Sequence, residues 1–154
     1  MIALLSALLA ILPLGVEAKA AESANVLVIV VGKDSLLTNI PFNQLRRLFM
    51  AEISEIDGQR MLPFNYEPGN DIRVVFDKMV LKMDPDAVGR YWVDRLIRGQ
   101  GKAPPIVRSP ELACAVVGKL KGAIVYLPID KVNDSVRVIS VNGKMPKDQG
   151  YPLR

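Results

Sequence analysis

Apolar residues are distributed along this chain in two patterns, continuous runs and helical repeats. The run 26–31 contains only valine, leucine and isoleucine and ends at Gly32, which predicts a strand buried on both faces in the middle of a parallel or mixed sheet. The runs 123–127 and 136–141 predict two later strands, and a short strand is expected within 60–65. Strands are therefore expected near both ends of the chain, with helices between them.

Four helices are predicted between these strands from their first residues and their apolar spacing. The first begins at Pro41, and Asn70, Asp84 and Ser109 are residue types that cap the N-terminus of a helix. The third helix is expected to bury its apolar side, which consists of Val88, Tyr91, Trp92 and Leu96. The order β-α-β-α-α-α-β-β predicts one α/β domain, with the polar tail 144–154 lying along the surface.

The first twenty residues have the order of a secretory signal peptide. The segment 2–14 is almost wholly apolar, helix breakers follow at Pro13 and Gly15, and Ala18-Lys19-Ala20 fits a cleavage site. A membrane span needs roughly 20 apolar residues, more than this interrupted segment offers. We therefore expect a signal peptide at 1–20, a periplasmic domain at 21–154, and a retained anchor as the alternative.

Composition narrows the function classes that the sequence supports. The chain contains no histidine, which removes the usual general base, the usual zinc ligand and the Ser-His-Asp arrangement. Cys114 is the only cysteine, in an apolar helical stretch typical of a buried position. Carboxylate or lysine chemistry stays open in principle, but we expect no enzyme, no cofactor and no metal. Nucleic acid is not an expected partner either, because the basic residues lack interleaved aromatic residues.

One loop has the layout of an anion site. Gly69, Asn70, Asp71 and Arg73 lie between a predicted strand and a predicted helix, where unpaired N–H groups and the helix dipole favour negative charge. Arg73, one turn into the helix, suits a bidentate contact with an oxyanion. The alternative is structural: Asn70 caps the helix, Asp71 interacts with its dipole and Arg73 is solvated.

Four segments resemble the substrate-binding proteins of phosphate ABC transporters. They are 41–52, 68–76, 91–105 and 122–126, the last being close to the Gly-Ala-Ile-Gly-Tyr strand of that family. The resemblance implies an α/β fold with a mixed central sheet and flanking helices, namely a single lobe of a type 2 periplasmic-binding-protein-like fold. It also implies an exported solute-binding protein, without chemistry, that holds phosphate or another small anion and serves a membrane transporter or a sensor.

Two departures from the family pattern leave a second function open. Asn70-Asp71-Ile72 replaces the Ser-Gly-Thr of the family's ligand loop, so that only Arg73 and Phe76 match it. The family's full-length binders enclose the ligand between two lobes, whereas this chain supplies one. The alternative is therefore an interaction module without a ligand, which docks on a membrane transporter or sensor through its basic helices or its open face.

Overall fold

A computed structural model describes residues 26–154, so the predicted signal peptide lies outside the described residues. A five-stranded mixed sheet forms the centre, and its strands are ordered β2-β7-β1-β6-β5. A separate two-stranded hairpin consists of β3 and β4. The strands, numbered along the chain, are β1 (Leu27–Gly32), β2 (Asn39–Ile40), β3 (Glu55–Ile56), β4 (Gln59–Arg60), β5 (Leu62–Pro63), β6 (Ala123–Pro128) and β7 (Val136–Val141).

Three of the four helices begin at the caps that the sequence indicated, and the first begins at Phe42, one residue after the predicted Pro41. Asn70 Oδ1 accepts a hydrogen bond from the Ile72 N–H at 3.0 Å, and Asp84 Oδ1 accepts one from the Ala87 N–H at 2.7 Å. Ser109 caps its helix in the same way. The helices are α1 (Phe42–Phe49), α2 (Asp71–Phe76), which continues as a π-helical turn (Asp77–Leu81), α3 (Pro85–Ile97), α4 (Pro110–Lys119) and a 3-10 turn (Ile129–Lys131).

The strand β1 is the central strand of the sheet, as its apolar run predicted. It pairs antiparallel with β6 on one side and with β7 on the other, and Val28 to Val31 are fully buried. The outer pairs, β2 with β7 and β5 with β6, are parallel, which makes the sheet mixed. A strand that has partners on both edges and helices over its faces requires apolar side chains on both faces.

Aromatic side chains join α1, α2 and the sheet. Phe76 stacks on Tyr126 with 3.7 Å between the ring centroids, and Phe49 lies 4.8 Å from Phe76. Tyr66 meets Tyr126 edge-on, with 5.5 Å between the ring centroids. All four rings are buried, so α2 is fixed to β6 next to the loop predicted to bind an anion.

Two expectations about burial are wrong. In α3 only Val88 is buried, Tyr91 and Trp92 are half-buried, and Leu96 is exposed, because the inward side of this helix is completed by Arg95 instead. The tail does not simply lie along the surface, since Tyr151 and Leu153 are buried. Leu153 accepts a backbone hydrogen bond from the N–H of Leu27, which ties the tail to the first strand. Within residues 26–154, no helix is long and apolar enough to cross a membrane.

Candidate functional site

A cleft of about 210 Å³ lies between α2, the first half of α3 and the segment 103–106. Most of its wall is apolar or glycine. Three side chains in the wall carry hydrogen-bonding groups, those of Arg73, Asp77 and Trp92. A mostly apolar cleft with a few polar groups is the usual form of a small-molecule site.

Arg73 and Asp77 form a buried ion pair in this wall. Nε of Arg73 lies 3.3 Å from Oδ2 of Asp77, and each side chain is 6% exposed. Arg73 Nη1 also donates a hydrogen bond to the Tyr66 carbonyl oxygen at 2.8 Å. The guanidinium is therefore held in place at one edge and is not solvated.

Each of the three polar residues in the cleft wall retains an unused hydrogen-bonding atom. Asp77 Oδ1 and Trp92 Nε1 are buried and have no hydrogen-bond partner within residues 26–154. Arg73 Nη2 makes no hydrogen bond to any residue that the structure describes, whereas Nε and Nη1 do. The three residues thus retain two donors and one acceptor without a partner, and buried unpaired atoms such as Asp77 Oδ1 and Trp92 Nε1 commonly mark a ligand or ordered water.

Burial also changes the acidity of the acceptor. Desolvation raises the pKa of Asp77, and the positive charge and hydrogen bond of Arg73 oppose that rise without cancelling it. The carboxyl group is consequently easier to protonate than one in water. It also favours any partner that brings a hydrogen-bond donor to Oδ1.

The structure separates the four residues that the sequence singled out. Gly69 and Arg73 line the cleft, whereas Asn70 and Asp71 do not. Gly69 has φ +84°, a left-handed conformation that glycine adopts without strain, and this turns the chain into α2. The Asn70 side chain is occupied by its cap, and Asp71 is exposed in the first turn of the helix.

Sequence reasoning missed Asp77 and assigned Trp92 to packing. The i, i+4 spacing of Arg73 and Asp77 on one helix was the available signal for an ion pair. No feature of the sequence indicated that Trp92 lines the same cleft as this ion pair, because the position of Trp92 depends on how α3 crosses α2. Among residues 26–154, no group of acidic and cysteine side chains is arranged to hold a metal ion.

A second cavity of about 340 Å³ shares the lining residues Ala103 and Pro104 with the first cleft. Its wall includes Leu48, Ile53, Leu62 and Phe64 and is mainly apolar, and Lys102 is the one charged residue among those lining it. It has no counterpart of the arginine, aspartate and tryptophan that line the first cleft. We therefore take the cleft at Arg73 as the candidate site.

No protein-family profile and no curated protein sequence matches this chain. Solved structures do match. An ABC-type phosphate transport receptor from Vibrio cholerae is 17% identical with a TM-score of 0.66, and the match covers 83% of this chain and 52% of the receptor. A phosphate ABC transporter substrate-binding protein with bound phosphate, from Clostridium perfringens, is 17% identical with a TM-score of 0.65, covering 86% and 54%.

PstS from Borrelia burgdorferi is 15% identical with a TM-score of 0.59, and the match covers 84% of this chain and 55% of PstS. This chain thus spans about half the length of the solved structures that it matches. The resemblance seen in the sequence is confirmed at the level of the fold. The described domain has the α/β fold of one lobe of a type 2 periplasmic-binding protein, with a mixed central sheet and flanking helices.

Proposed function

We propose that this chain is an exported solute-binding lobe of the phosphate-transporter type, which holds a small protonated oxyanion such as hydrogen phosphate in the cleft at Arg73. The observation that carries the proposal is that three residues lining one cleft each retain an unused polar atom, namely Arg73 Nη2, Trp92 Nε1 and Asp77 Oδ1. Binding is reversible and involves no chemistry. A membrane transporter or sensor is the expected partner.

The charge of the ion pair decides which anions suit the cleft. Asp77 neutralises Arg73, so an anion without a proton meets a carboxylate as well as a guanidinium. A protonated oxyanion accepts hydrogen bonds from Arg73 and Trp92 and donates its own O–H to Asp77 Oδ1. Phosphate retains a proton at neutral pH and sulfate does not, so phosphate is the better ligand of the two.

Energetics support a ligand at these atoms. A buried polar atom without a partner costs about 1–3 kcal/mol, and a ligand that supplies the partner removes that cost. Small adjustments of the side chains are required, because Oδ1 and Nε1 are covered in the ligand-free chain. The cleft is open to solvent on one side, as expected for one lobe, so we expect modest affinity.

Trp92 is the only tryptophan of the chain, and its fluorescence therefore reports directly on the cleft. We would titrate the purified protein with phosphate and with sulfate, following Trp92 emission and heat release. Saturable phosphate binding, with sulfate at least about tenfold weaker, supports the proposal. A folded protein that responds to neither anion overturns it and favours the interaction module that docks without a ligand.

Two variants separate the roles within the site. Asp77→Asn removes the negative charge, so we expect sulfate to gain on phosphate by about tenfold. Trp92→Phe removes one hydrogen-bond donor to phosphate and to sulfate alike. Calorimetry is therefore expected to show that both anions bind about two- to tenfold more weakly. Arg108→Ala removes an exposed arginine outside the cleft and serves as the control, with no expected change. Equal effects of Arg108→Ala and Trp92→Phe would contradict the assignment.

A further inference from the structure

The charged and the apolar residues of the cleft at Arg73 come from different parts of the chain. Both charged residues, Arg73 and Asp77, belong to α2 and the π-helical turn that continues it. Among the described residues that line the cleft, α3 and the segment 103–106 contribute no charged side chain and one hydrogen-bonding side chain, that of Trp92. The rest of their share consists of Pro85, Val88, Gly89, Ala103, Pro104 and Ile106. The cleft is therefore polar on one side and mainly apolar on the others.

This asymmetry suits inorganic phosphate poorly. The oxygen atoms of that ion surround the phosphorus atom on every side, so each direction needs a hydrogen-bond donor or water. Oxygen atoms that face the apolar walls would lose water without gaining a partner, which weakens binding. A ligand that has an oxyanion at one end and an apolar group at the other avoids this loss, because its two ends match the two kinds of wall.

Gly89 leaves room on the apolar side of the cleft. Glycine inside a helix destabilises that helix relative to alanine, and Gly89 lies inside α3. A Cβ atom at this position would meet no heavy atom within 4 Å, so close packing does not require glycine here. The missing side chain keeps the space beside Val88 and Trp92 open. The cleft, at about 210 Å³, is smaller than the sites of drug-sized ligands, so the apolar group must be small.

We propose that the preferred solute is a phosphonate with a small apolar group on the phosphorus atom. The inference rests on the proposed function, which assigns the oxyanion to Arg73, Asp77 and Trp92. The apolar group covers Ile106, which is 49% exposed, and the half-buried ring of Trp92, so apolar surface leaves the water on binding.

The proton that pairs with Asp77 favours a phosphonate over a phosphate monoester. A monoester has its second pKa near 6 and has mostly lost its proton at neutral pH. A phosphonate holds that proton more tightly, because carbon withdraws less electron density from phosphorus than an ester oxygen does. A protonated alkylphosphonate therefore donates its O–H to Asp77 and carries the apolar group as well.

The test is calorimetry of the purified full chain at neutral pH with propylphosphonate, inorganic phosphate and propanesulfonate. We expect propylphosphonate to bind at least about tenfold more tightly than phosphate, because it adds apolar contact. Propanesulfonate has the same chain and a negative charge but no proton, so we expect it to bind at least about tenfold more weakly than propylphosphonate. Propyl phosphate provides the ester for comparison and is expected to be the weaker of the two propyl phosphoryl ligands.

The outcomes separate this inference from the proposed function. Phosphate that binds as tightly as propylphosphonate overturns the inference and leaves the proposed function intact. Propanesulfonate or propyl phosphate equal to propylphosphonate also overturns the inference. Binding of propylphosphonate without binding of phosphate supports the inference and overturns phosphate as the solute. A folded chain that binds none of these ligands overturns both proposals.

A variant that fills the apolar side locates the propyl group. Gly89→Leu places a side chain in the open space and is expected to weaken propylphosphonate by about tenfold or more, while phosphate changes by less than about twofold. Ala115→Leu makes a similar addition at an exposed position of α4 outside the cleft, and we expect it to change neither ligand. Leucine is a good helix former, so both variants are expected to fold, which circular dichroism verifies. Equal weakening of the two ligands by Gly89→Leu, or no weakening of either, overturns the inference.

Discussion

Nε of Arg73 lies 3.3 Å from Oδ2 of Asp77, one turn further along the same helical segment, and both side chains are almost fully buried. Charges of opposite sign that are removed from water together depend on each other, because each would be costly to bury alone. The pair therefore links the stability of the fold to the chemistry of the cleft that it lines.

Replacing one partner of this pair is expected to destabilise the fold more than replacing both. Arg73→Met leaves a buried carboxylate alone and is expected to cost about 3–5 kcal/mol of unfolding free energy, measured by urea denaturation. The double variant Arg73→Met/Asp77→Leu is expected to recover most of that loss. Arg108→Met breaks an exposed pair with Glu67 and serves as the control, at less than about 1 kcal/mol. A similar loss in both single arginine variants would show that the buried pair has no special role.

Stability is expected to depend on pH through Asp77. Burial is the larger influence on this carboxyl group and raises its pKa above the ordinary value near 4. The folded state then holds the proton more tightly than the unfolded state, so this group's contribution to the unfolding free energy decreases as pH rises from about 4 through the folded pKa. Measuring the unfolding free energies of the wild type and of Asp77→Asn across pH 3.5–7 isolates the contribution of Asp77. We expect the wild type to lose stability relative to the variant as pH rises, and the opposite slope would mean that Arg73 outweighs burial.

Gly122 is expected to tolerate no side chain. Its φ is +80°, and a Cβ atom there would lie 2.5 Å from the Arg60 carbonyl oxygen. Gly143 has a similar φ of +73° but open space around the same position, so Gly143→Ala carries only the left-handed backbone cost of about 1–2 kcal/mol. Gly122→Ala adds a backbone clash and is expected to be the more destabilising by at least about 1 kcal/mol in urea denaturation. Equal losses would show that the Arg60 strand moves aside freely.

Phe76 and Trp92 are expected to differ in their contribution to the core. Phe76 is fully buried and stacked on Tyr126, so Phe76→Ala is expected to cost about 3–5 kcal/mol. Trp92 is half-buried beside an open cleft, so Trp92→Ala is expected to cost about half as much despite the larger side chain. Thermal and urea unfolding compare the two, with Phe76→Leu as the milder change if Phe76→Ala does not fold. A greater loss at Trp92 would return that residue to the core position that its sequence spacing suggested.

Features that depend on neighbouring residues were predictable from the sequence. The caps at Asn70, Asp84 and Ser109 involve only the next few residues, and each occurs as expected. The burial of β1 was also readable, because a run of branched apolar residues suits only a central strand.

Features that depend on tertiary packing were not predictable in the same way. Helical spacing placed Leu96 on the buried side of α3, but Leu96 is exposed, and the neighbouring Arg95 points inward and donates a hydrogen bond to the Ala51 carbonyl just after α1. Spacing gave no sign of the π-helical turn either, which ends at Lys82 in a left-handed conformation. The cleft combines residues from α2, α3 and the segment 103–106, so its composition follows from how the helices cross.

The position of β1 at the centre of the sheet bears on the order in which the chain can fold. The first strand of the described domain has its two partners in the last two strands, and its N-terminal residue is also bonded to Leu153. Contacts between such distant segments carry a high loop-closure cost, which slows folding and makes it concerted. During synthesis the apolar run Val28 to Val31 therefore has no partner strands until β6 and β7, the last two strands, have been synthesised. An emerging chain of this topology depends on chaperones or on rapid completion to avoid aggregation.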